Sequence, residues 1–137
     1  MLPRRLRRFG VVLAQPQFTV TAGVVLDDSQ GRILLLRHRY RPGSGWGIPG
    51  GFLDPGEQPE AAARRELKEE LGIDVGDLRL AFVRTLTSIR QVESLFTGRF
   101  DGKIAAFNDE VLEYGWFSRE ELPVELSTDQ LSLIERA

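Results

Sequence analysis

One stretch of the 137-residue chain, residues 51–73, joins a glycine-led loop to a strongly charged segment and constrains the fold more than any other. It reads GFLDPGEQPEAAARRELKEELGI. Pro59 suits the first position of a helix, where its missing N–H costs nothing, and Gly72 suits the position just after the last turn. The stretch therefore predicts a loop followed by a helix from Pro59 to about Leu71.

Three glutamates of this helix are spaced so that their carboxylates share one face. Glu66, Glu69 and Glu70 stand at i, i+3 and i+4, and like charges at this spacing repel by about 0.2–0.5 kcal/mol per pair on an exposed helix. A divalent cation would remove that repulsion. Because the chain has no cysteine and one histidine, its oxygen ligands favour Mg²⁺ or Mn²⁺ over a closed zinc site. Taken alone, the three glutamates also fit an ordinary solvated, charge-rich helix.

The complete pattern of the stretch resembles the Nudix box, the signature of the Nudix hydrolase family. The pattern is glycine–x5–Glu–x7–Arg-Glu-apolar-x-Glu-Glu-x-Gly-apolar, and every defined position is filled. The matching residues are Gly51, Glu57, Arg65, Glu66, Leu67, Glu69, Glu70, Gly72 and Ile73. Pro49-Gly50, just before the stretch, fits the usual approach to the box, and the flanking segments are similar to the family over most of the chain.

The resemblance implies an α/β protein with the Nudix fold, which is an α/β/α sandwich with a mixed β-sheet and a catalytic loop–helix. Alternation and β-branched content predict strands at 18–26, 33–36, 46–48, 78–87, 92–100 and 114–117. Capping patterns at Ser118 and Ser127 predict two short C-terminal helices. We expect a basic N-terminal arm over residues 1–16 and a single Nudix hydrolase domain over residues 17–137.

The resemblance also implies roles for individual residues. The expected metal ligands are Gly50, through its backbone carbonyl, and the side chains of Glu66, Glu69 and Glu70. Arg65 is expected to pair with Glu57 and to hold the loop against the helix, which would fix the orientation of the metal ligands.

An acid before the last strand is a further candidate, because such a residue often supplies a metal ligand or the catalytic base in this family. Glu113 fits this role by its offset from Trp116, and Glu110 is its rival. An exposed loop position explains either acid as well. The predicted catalytic residues are therefore Glu57, Arg65, Glu66, Glu69, Glu70 and Glu113.

Residues outside the box are candidates for binding the substrate. Arg37 and Arg39 lie in an arginine-rich segment, residues 37–41, and guanidinium groups suit phosphate oxygens. Trp46 is a candidate to stack on a nucleobase. A solvated strand end for the arginines and a core position for Trp46 are the simpler alternatives. His38 is not expected to act as a base, because no motif of the family requires it.

The implied activity is hydrolysis of the diphosphate linkage in a nucleoside diphosphate joined to another moiety, by metal-assisted attack of water on phosphorus. Two alternatives stay open. One is an RNA 5′-end pyrophosphohydrolase that uses the N-terminal arginines. The other is a non-catalytic, nucleotide-binding regulatory module.

Composition narrows the expected partners. The net charge of −2 gives no overall attraction to nucleic acid or to an anionic membrane, and no apolar run approaches the ~20 residues that cross a bilayer. We therefore expect a nucleotide-type small molecule as substrate, no membrane or nucleic-acid partner, and a cytoplasmic location. The resemblance also allows a homodimer. The arginines of residues 1–16 could contact an acidic partner, RNA or a substrate phosphate, or belong to a solvated arm.

Overall fold

The computed structural model describes residues 2–105 and 107–137, which form one seven-stranded sheet and three helices. The helices are α1 (Arg4–Ala14), α2 (Pro59–Leu71) and α3 (Thr128–Arg136). The strands are β1 (Thr19–Asp27), β2 (Ile33–His38), β3 (Trp46–Gly47), β4 (Gly50–Phe52), β5 (Leu78–Leu86), β6 (Gln91–Arg99) and β7 (Val111–Phe117). A short 3-10 turn, Thr87–Ile89, joins β5 to β6.

The sheet is mixed because β1 and β6 run parallel while their other neighbours run antiparallel. The strand order is β3-β2-β1-β6-β5, with β4 also paired to β1 and β7 to β2. Parallel strands cannot be joined by a tight hairpin, and α2 lies in the long crossover between β1 and β6. In this topology α2 packs against β1 and β4, with Glu66 and Glu70 beside the glycines of β4.

Helices cover both faces of the sheet, and the alternation of side chains along each strand decides which helix they contact. The cluster on the α2 side includes Leu34, Leu36, Leu67 and Leu71, and the cluster on the α3 side includes Ile33, Leu35, Leu133 and Ile134. The continuous apolar run of β2 is therefore buried on both faces. The mixed sheet between helices confirms the α/β fold that the resemblance implied.

The C-terminal segment corrects one prediction. At Ser118 the structure has a turn, in which the Glu121 N–H donates to the Ser118 carbonyl oxygen at 3.0 Å, instead of a helix. A first helical turn is unfavourable unless further hydrogen bonds follow it. Pro123 has no N–H to donate, so it ends the segment before such bonds can form. The same pattern at Ser127 does begin α3, where the Ser127 hydroxyl accepts a hydrogen bond from the Gln130 N–H.

The N-terminal helix α1 lies within the predicted basic arm and contains no buried residue. Its C-terminal end is followed by Gln15 in extended conformation and then by Pro16, which cannot continue a helix. No helix in the described part of the chain is both long and apolar enough to cross a membrane.

Candidate active site

A cleft of about 580 Å³ opens where the N-terminal half of β1 meets β4, β6 and the start of the loop that leads to α2. On the α2 side, the residues that line it include Gly50, Gly51, Arg65, Glu66, His38 and Glu110. On the α3 side, they include Gln91, Glu93, Leu95, Gln130 and Leu133. The cleft thus has one carboxylate-rich wall and one wall that mixes apolar and polar side chains.

Two glycines allow the backbone of β4 to run directly beside β1 and the carboxylates of α2. A Cβ atom added to Gly50 would overlap the carbonyl oxygen of Ala22, and one added to Gly51 would overlap the carboxylate of Glu66. Because these Cβ atoms are absent, the Gly50 N–H reaches Glu70 Oε1 at 3.2 Å. Close backbone approach is therefore built into this wall of the cleft.

Glu70 is an ionisable group buried inside the protein, with 1% of its surface exposed. Its Oε1 accepts the Gly50 N–H, and its Oε2 has no hydrogen-bond partner among the described residues. Burial, and then the nearby charge of Glu66, raise the pKa of Glu70 to about 8. A buried carboxylate oxygen without a protein donor, next to a second carboxylate, fits a hard divalent cation.

Arg65 connects the loop to the helix through five hydrogen bonds. Its Nε donates to Glu57 Oε2 at 2.8 Å, and its Nη2 donates to Glu57 Oε1 and to the Phe52 carbonyl oxygen, both at 2.9 Å. Its Nη1 donates to Glu66 Oε1 at 3.0 Å and to Glu69 Oε2 at 3.2 Å. The two hydrogen bonds from Arg65 to Glu57, together with one from the Asp54 N–H, lower the pKa of Glu57 to about 2. Arg65 therefore fixes the loop and neutralises part of the carboxylate charge.

The carboxylates have the donor chemistry of a metal site, although the described residues contain no group of three or more acidic or histidine side chains already gathered around one point. The carboxylates are held apart because Arg65 donates hydrogen bonds to Glu66 and Glu69, whereas Glu70 is buried in the interior. Burial raises the pKa of Glu66 as well. Glu66 and Glu70, which lie beside the backbone of Gly51 and Gly50, are the residues best placed to bind a cation at the cleft.

The structure brings Glu110 to the cleft together with His38. The sequence had not indicated His38 as a functional residue. His38 Nε2 lies 3.3 Å from Glu110 Oε2 and 3.7 Å from Glu70 Oε2. Burial, and then the charge of Arg41, lower the pKa of His38, so the imidazole is neutral at pH 7. The signal that could have found His38 is its position two residues beyond Leu36, on the α2 side of a buried strand.

Glu113 lies on the sheet face opposite α2, because it is three residues before Trp116 and side chains alternate along β7, whereas a β-bulge turns Val111 to the α2 side. In the pairing of β2 with β7, Arg37 faces Glu113 while His38 faces Val111, so Leu112 is the extra residue. A bulge of one residue reverses the faces on which side chains lie. Val111 therefore packs on the α2 side, whereas Glu113 shares the opposite face with Arg37, whose Nε lies 3.2 Å from Glu113 Oε1.

The three predicted substrate-binding residues also lie outside the cleft, and their role in binding stays a prediction. Arg37 pairs with Glu113, and Arg39 Nε donates to the carbonyl oxygen of Asp109 at 3.0 Å. Trp46 packs edge-on against Phe117 in the α3-side core, with ring centroids 5.4 Å apart. The simpler alternatives thus describe the placement of all three side chains.

Arg41 is the arginine of the 37–41 segment that lines the cleft. Its guanidinium group donates to the carbonyl oxygens of Leu36, Gly45 and Ile48 at 3.3, 3.0 and 2.7 Å. These bonds tie the loop between β2 and β4 to the wall of the cleft. Arg41 also supplies positive charge near Glu70, where it opposes the rise in the pKa of that carboxyl.

Glu93 is held rigidly on the α3 side of the cleft. Its Oε2 accepts from Arg84 Nε at 2.6 Å and its Oε1 accepts from Gln91 Nε2 at 3.0 Å. Arg84 in turn donates to Asp129 at the start of α3, at 2.9 Å. The register β5–β6–β1 aligns Arg84, Glu93 and Thr21 in one row across the sheet. The orientation of the Glu93 carboxylate is therefore fixed before any ligand binds.

The fold and the carboxylate-lined cleft define a Nudix-type α/β protein. The NUDIX domain family model matches residues 17–137, and the chain belongs to this family. Nudix hydrolases act on nucleotide substrates and generally use divalent metal ions.

Individual relatives agree with the family assignment. The chain is 48% identical over 62 residues to the RNA pyrophosphohydrolase of Caulobacter vibrioides, which covers 44% of this chain and 36% of that protein. It is 30% identical over 118 residues to the NAD-capped RNA hydrolase ndx-9 of Caenorhabditis elegans, covering 82% of this chain and 32% of that protein. The chain therefore spans about a third of the length of these curated relatives.

The fold is shared with a solved structure, the MutT NUDIX hydrolase from Burkholderia pseudomallei. The two chains superpose with a TM-score of 0.78 at 29% sequence identity. The match covers 89% of this chain and 99% of the solved one.

Proposed function

We propose that this protein hydrolyses the diphosphate linkage of a nucleoside diphosphate joined to another moiety, with the help of a divalent metal ion. The observation that carries the proposal is the buried carboxylate of Glu70, which has one unpartnered oxygen. It lies directly behind the cleft residues Gly50 and His38 and feels the charge of Glu66. Oxygen donors of this kind match Mg²⁺ or Mn²⁺. When bound, the ion would offset the phosphate charge and lower the pKa of a coordinated water.

The residues of the carboxylate-rich wall divide the remaining work. Glu66, Glu69, Glu70 and the carbonyl oxygen of Gly50 are the proposed metal ligands. Arg65 and Glu57 are proposed to hold the loop in place, because their two-point pair closes it onto α2.

Glu110 is the acid proposed to take the proton of the attacking water. It lines the cleft, and its Oε2 lies 3.3 Å from the neutral imidazole of His38, which can hold that carboxylate in position. Glu113 lies on the opposite face of the sheet and has no catalytic role in this proposal.

The charges of the two walls orient the substrate. Glu93 would repel a phosphate, so the diphosphate is proposed to lie at the α2 wall and the nucleoside at the α3 wall, against Leu95 and Leu133. The fixed carboxylate of Glu93 can accept a hydrogen bond from a sugar hydroxyl or a base N–H of that half.

Glu93→Gln is expected to raise KM for the best nucleotide substrate by roughly 10–100-fold, with kcat changed far less, because a hydrogen bond to a charged group contributes about 1.5–3 kcal/mol. The measurement is steady-state kinetics, with thermal melting to establish that the variant is folded. Glu120→Gln, an exposed acid outside the cleft, is the matched control. An unchanged KM in a folded Glu93→Gln protein would remove Glu93 from substrate binding.

The function itself is tested by phosphate release from a panel of nucleoside diphosphate derivatives and nucleoside triphosphates, with a coupled phosphatase where the product requires it. We expect one substrate class to stand well above the rest with Mg²⁺ or Mn²⁺, and its turnover to stop on addition of a chelator. Turnover that persists in chelator would contradict a metal-dependent mechanism. Nucleotide binding without turnover would instead favour the regulatory-module alternative.

RNA 5′ ends are the second candidate substrate, because relatives of this chain carry the names RNA pyrophosphohydrolase and NAD-capped RNA hydrolase. Binding through several backbone phosphates weakens steeply as salt rises, whereas a single nucleotide is much less sensitive. Comparing the salt dependence of the two activities separates the candidates. The cytoplasmic location, the homodimer and the boundary between arm and domain remain predictions.

A further inference from the structure

The N-terminal helix α1 has two chemically opposite faces. At 100° per residue, Leu6, Phe9 and Leu13 lie within roughly 60° of one another. They expose 54%, 62% and 68% of their surfaces. Arg4, Arg7 and Arg8 occupy the other side of the helix, and Arg5 borders the apolar face. The pattern is that of a short amphipathic helix with a basic polar face.

Neither face of α1 is covered by the residues that the structure describes. Every residue of the helix is exposed, and none belongs to either buried cluster of the domain. An isolated helix of 11 residues is marginal in water, since helices below about 12–15 residues gain too little to offset nucleation. A surface that binds both the apolar and the basic face of α1 would therefore stabilise the helical conformation and also attach the protein to that surface.

Charge distribution indicates the kind of surface. Of the 18 lysines and arginines in the chain, four lie in residues 1–16, which contain no acid, and the other 14 accompany 20 acids in the rest of the chain. The positive charge is therefore concentrated on α1, and the remainder of the protein is acidic. Any anionic surface would attract α1 and repel the domain, which would hold the protein by its N-terminal helix alone.

We propose that α1 anchors the protein to an anionic lipid surface. Leu6, Phe9 and Leu13 insert at the boundary between headgroups and acyl chains, while the arginines bind lipid phosphates. RNA would satisfy the arginines but leave the apolar face in water. A second α1 helix would cover the apolar face but bring together two sets of arginines. An anionic bilayer surface satisfies both faces of one helix.

The test uses the full-length protein in flotation assays with vesicles of phosphatidylcholine alone and of phosphatidylcholine mixed with phosphatidylserine. We expect binding to the mixed vesicles only, weakening as salt is added. Replacing Leu6, Phe9 and Leu13 together by Gln, which retains helix propensity, is expected to weaken binding at least ~100-fold. Replacing the four arginines by Gln is also expected to weaken binding by roughly 100-fold or more.

The matched control changes the same chemistry on the wrong face. Val11 lies between Arg4 and Arg7, opposite the apolar face, and is 60% exposed. The variant Val11→Gln should bind mixed vesicles within about threefold of the unmodified protein if the apolar face is what inserts. Equal losses in this control and in the variant of Leu6, Phe9 and Leu13 would overturn the proposal.

Two other partners have distinct outcomes, and each would overturn the proposal. Binding of single-stranded RNA that needs the arginines but not the apolar face, without vesicle binding, would identify α1 as an RNA contact. A dimer in sedimentation velocity that the apolar-face variant converts to a monomer, again without vesicle binding, would identify a second copy. Hydrolysis of soluble substrate should be equal in all α1 variants, so the membrane proposal and the proposed function can fail separately.

Discussion

Replacing Glu70 by Gln is expected to lower kcat by roughly 10²–10⁴-fold while the protein stays folded. The substitution retains the side-chain volume and the oxygen that accepts the Gly50 N–H. It removes the negative charge that is proposed to bind the metal. The loss should be measured on the best substrate of the nucleotide panel, at saturating Mg²⁺ or Mn²⁺.

The same substitution is expected to raise the melting temperature by roughly 2–8 °C in the presence of a chelator. The pKa of Glu70 rises on folding from its ordinary value of 4.5 to about 8, so the folded state retains a proton that the unfolded state loses. Stability from this group therefore falls as the pH rises from 4.5 towards 8. A neutral amide avoids that loss, so the gain should grow over this pH range.

Glu60→Gln is the control for both effects, because Glu60 lies in the first turn of the same helix and is half exposed. It should leave kcat and the melting temperature nearly unchanged. Near-normal turnover of a folded Glu70→Gln protein would refute the role of Glu70 as a metal ligand. In chelator, a melting temperature of Glu70→Gln below that of the unmodified protein would show that the buried carboxylate of Glu70 has more favourable interactions than its contacts indicate.

Gly50→Ala is expected to lower the free energy of unfolding by at least ~2 kcal/mol and to abolish hydrolysis. The added methyl group would overlap the carbonyl oxygen of Ala22 and the Cα of Gly23. Both are backbone atoms of β1 in the centre of the sheet, and they cannot move aside as a flexible side chain could. Strand β4 would have to separate from β1, which would also displace the Gly50 N–H from Glu70.

Chemical denaturation followed by tryptophan fluorescence measures this effect, with Gly76→Ala as the control. A Cβ atom at Gly76 meets no atom of the described residues within 4 Å, so its substitution should change stability by less than about 0.5 kcal/mol. Equal unfolding midpoints for the two variants would mean that β4 tolerates separation from β1.

The elements that the sequence predicted well are those fixed by neighbours along the chain. Pro59 and Gly72 bound α2 as predicted, and Gly72 adopts the left-handed conformation, with φ of 67°, that glycine favours. The family pattern also anticipated the pair between Arg65 and Glu57, whose two side chains lie eight residues apart on one loop–helix unit. Short sequence separation leaves few alternative arrangements for such contacts.

The same local signal failed where a neighbour overrode it. Ser118 and Ser127 both begin capping patterns, yet only Ser127 caps a helix, because Pro123 interrupts the first segment. The segment before Pro123 is too short for its helical hydrogen bonds to offset the free-energy cost of helix nucleation. A capping pattern predicts where a helix can begin, and the length available after it decides whether a helix forms.

By itself, the sequence determined the family, the loop–helix and the spacing of its carboxylates, because these depend on residues that are close along the chain. Only the tertiary structure decided which distant residues share the cleft. The extra residue Leu112 in β7 turns Val111 to the α2 side, whereas Glu113 lies on the opposite face by simple alternation from Trp116. The β2–β7 pairing and the turn before it bring Glu110 beside His38, in contact with the buried Glu70. A shift of one residue in strand register exchanges the two faces of a sheet, and no local pattern records that shift.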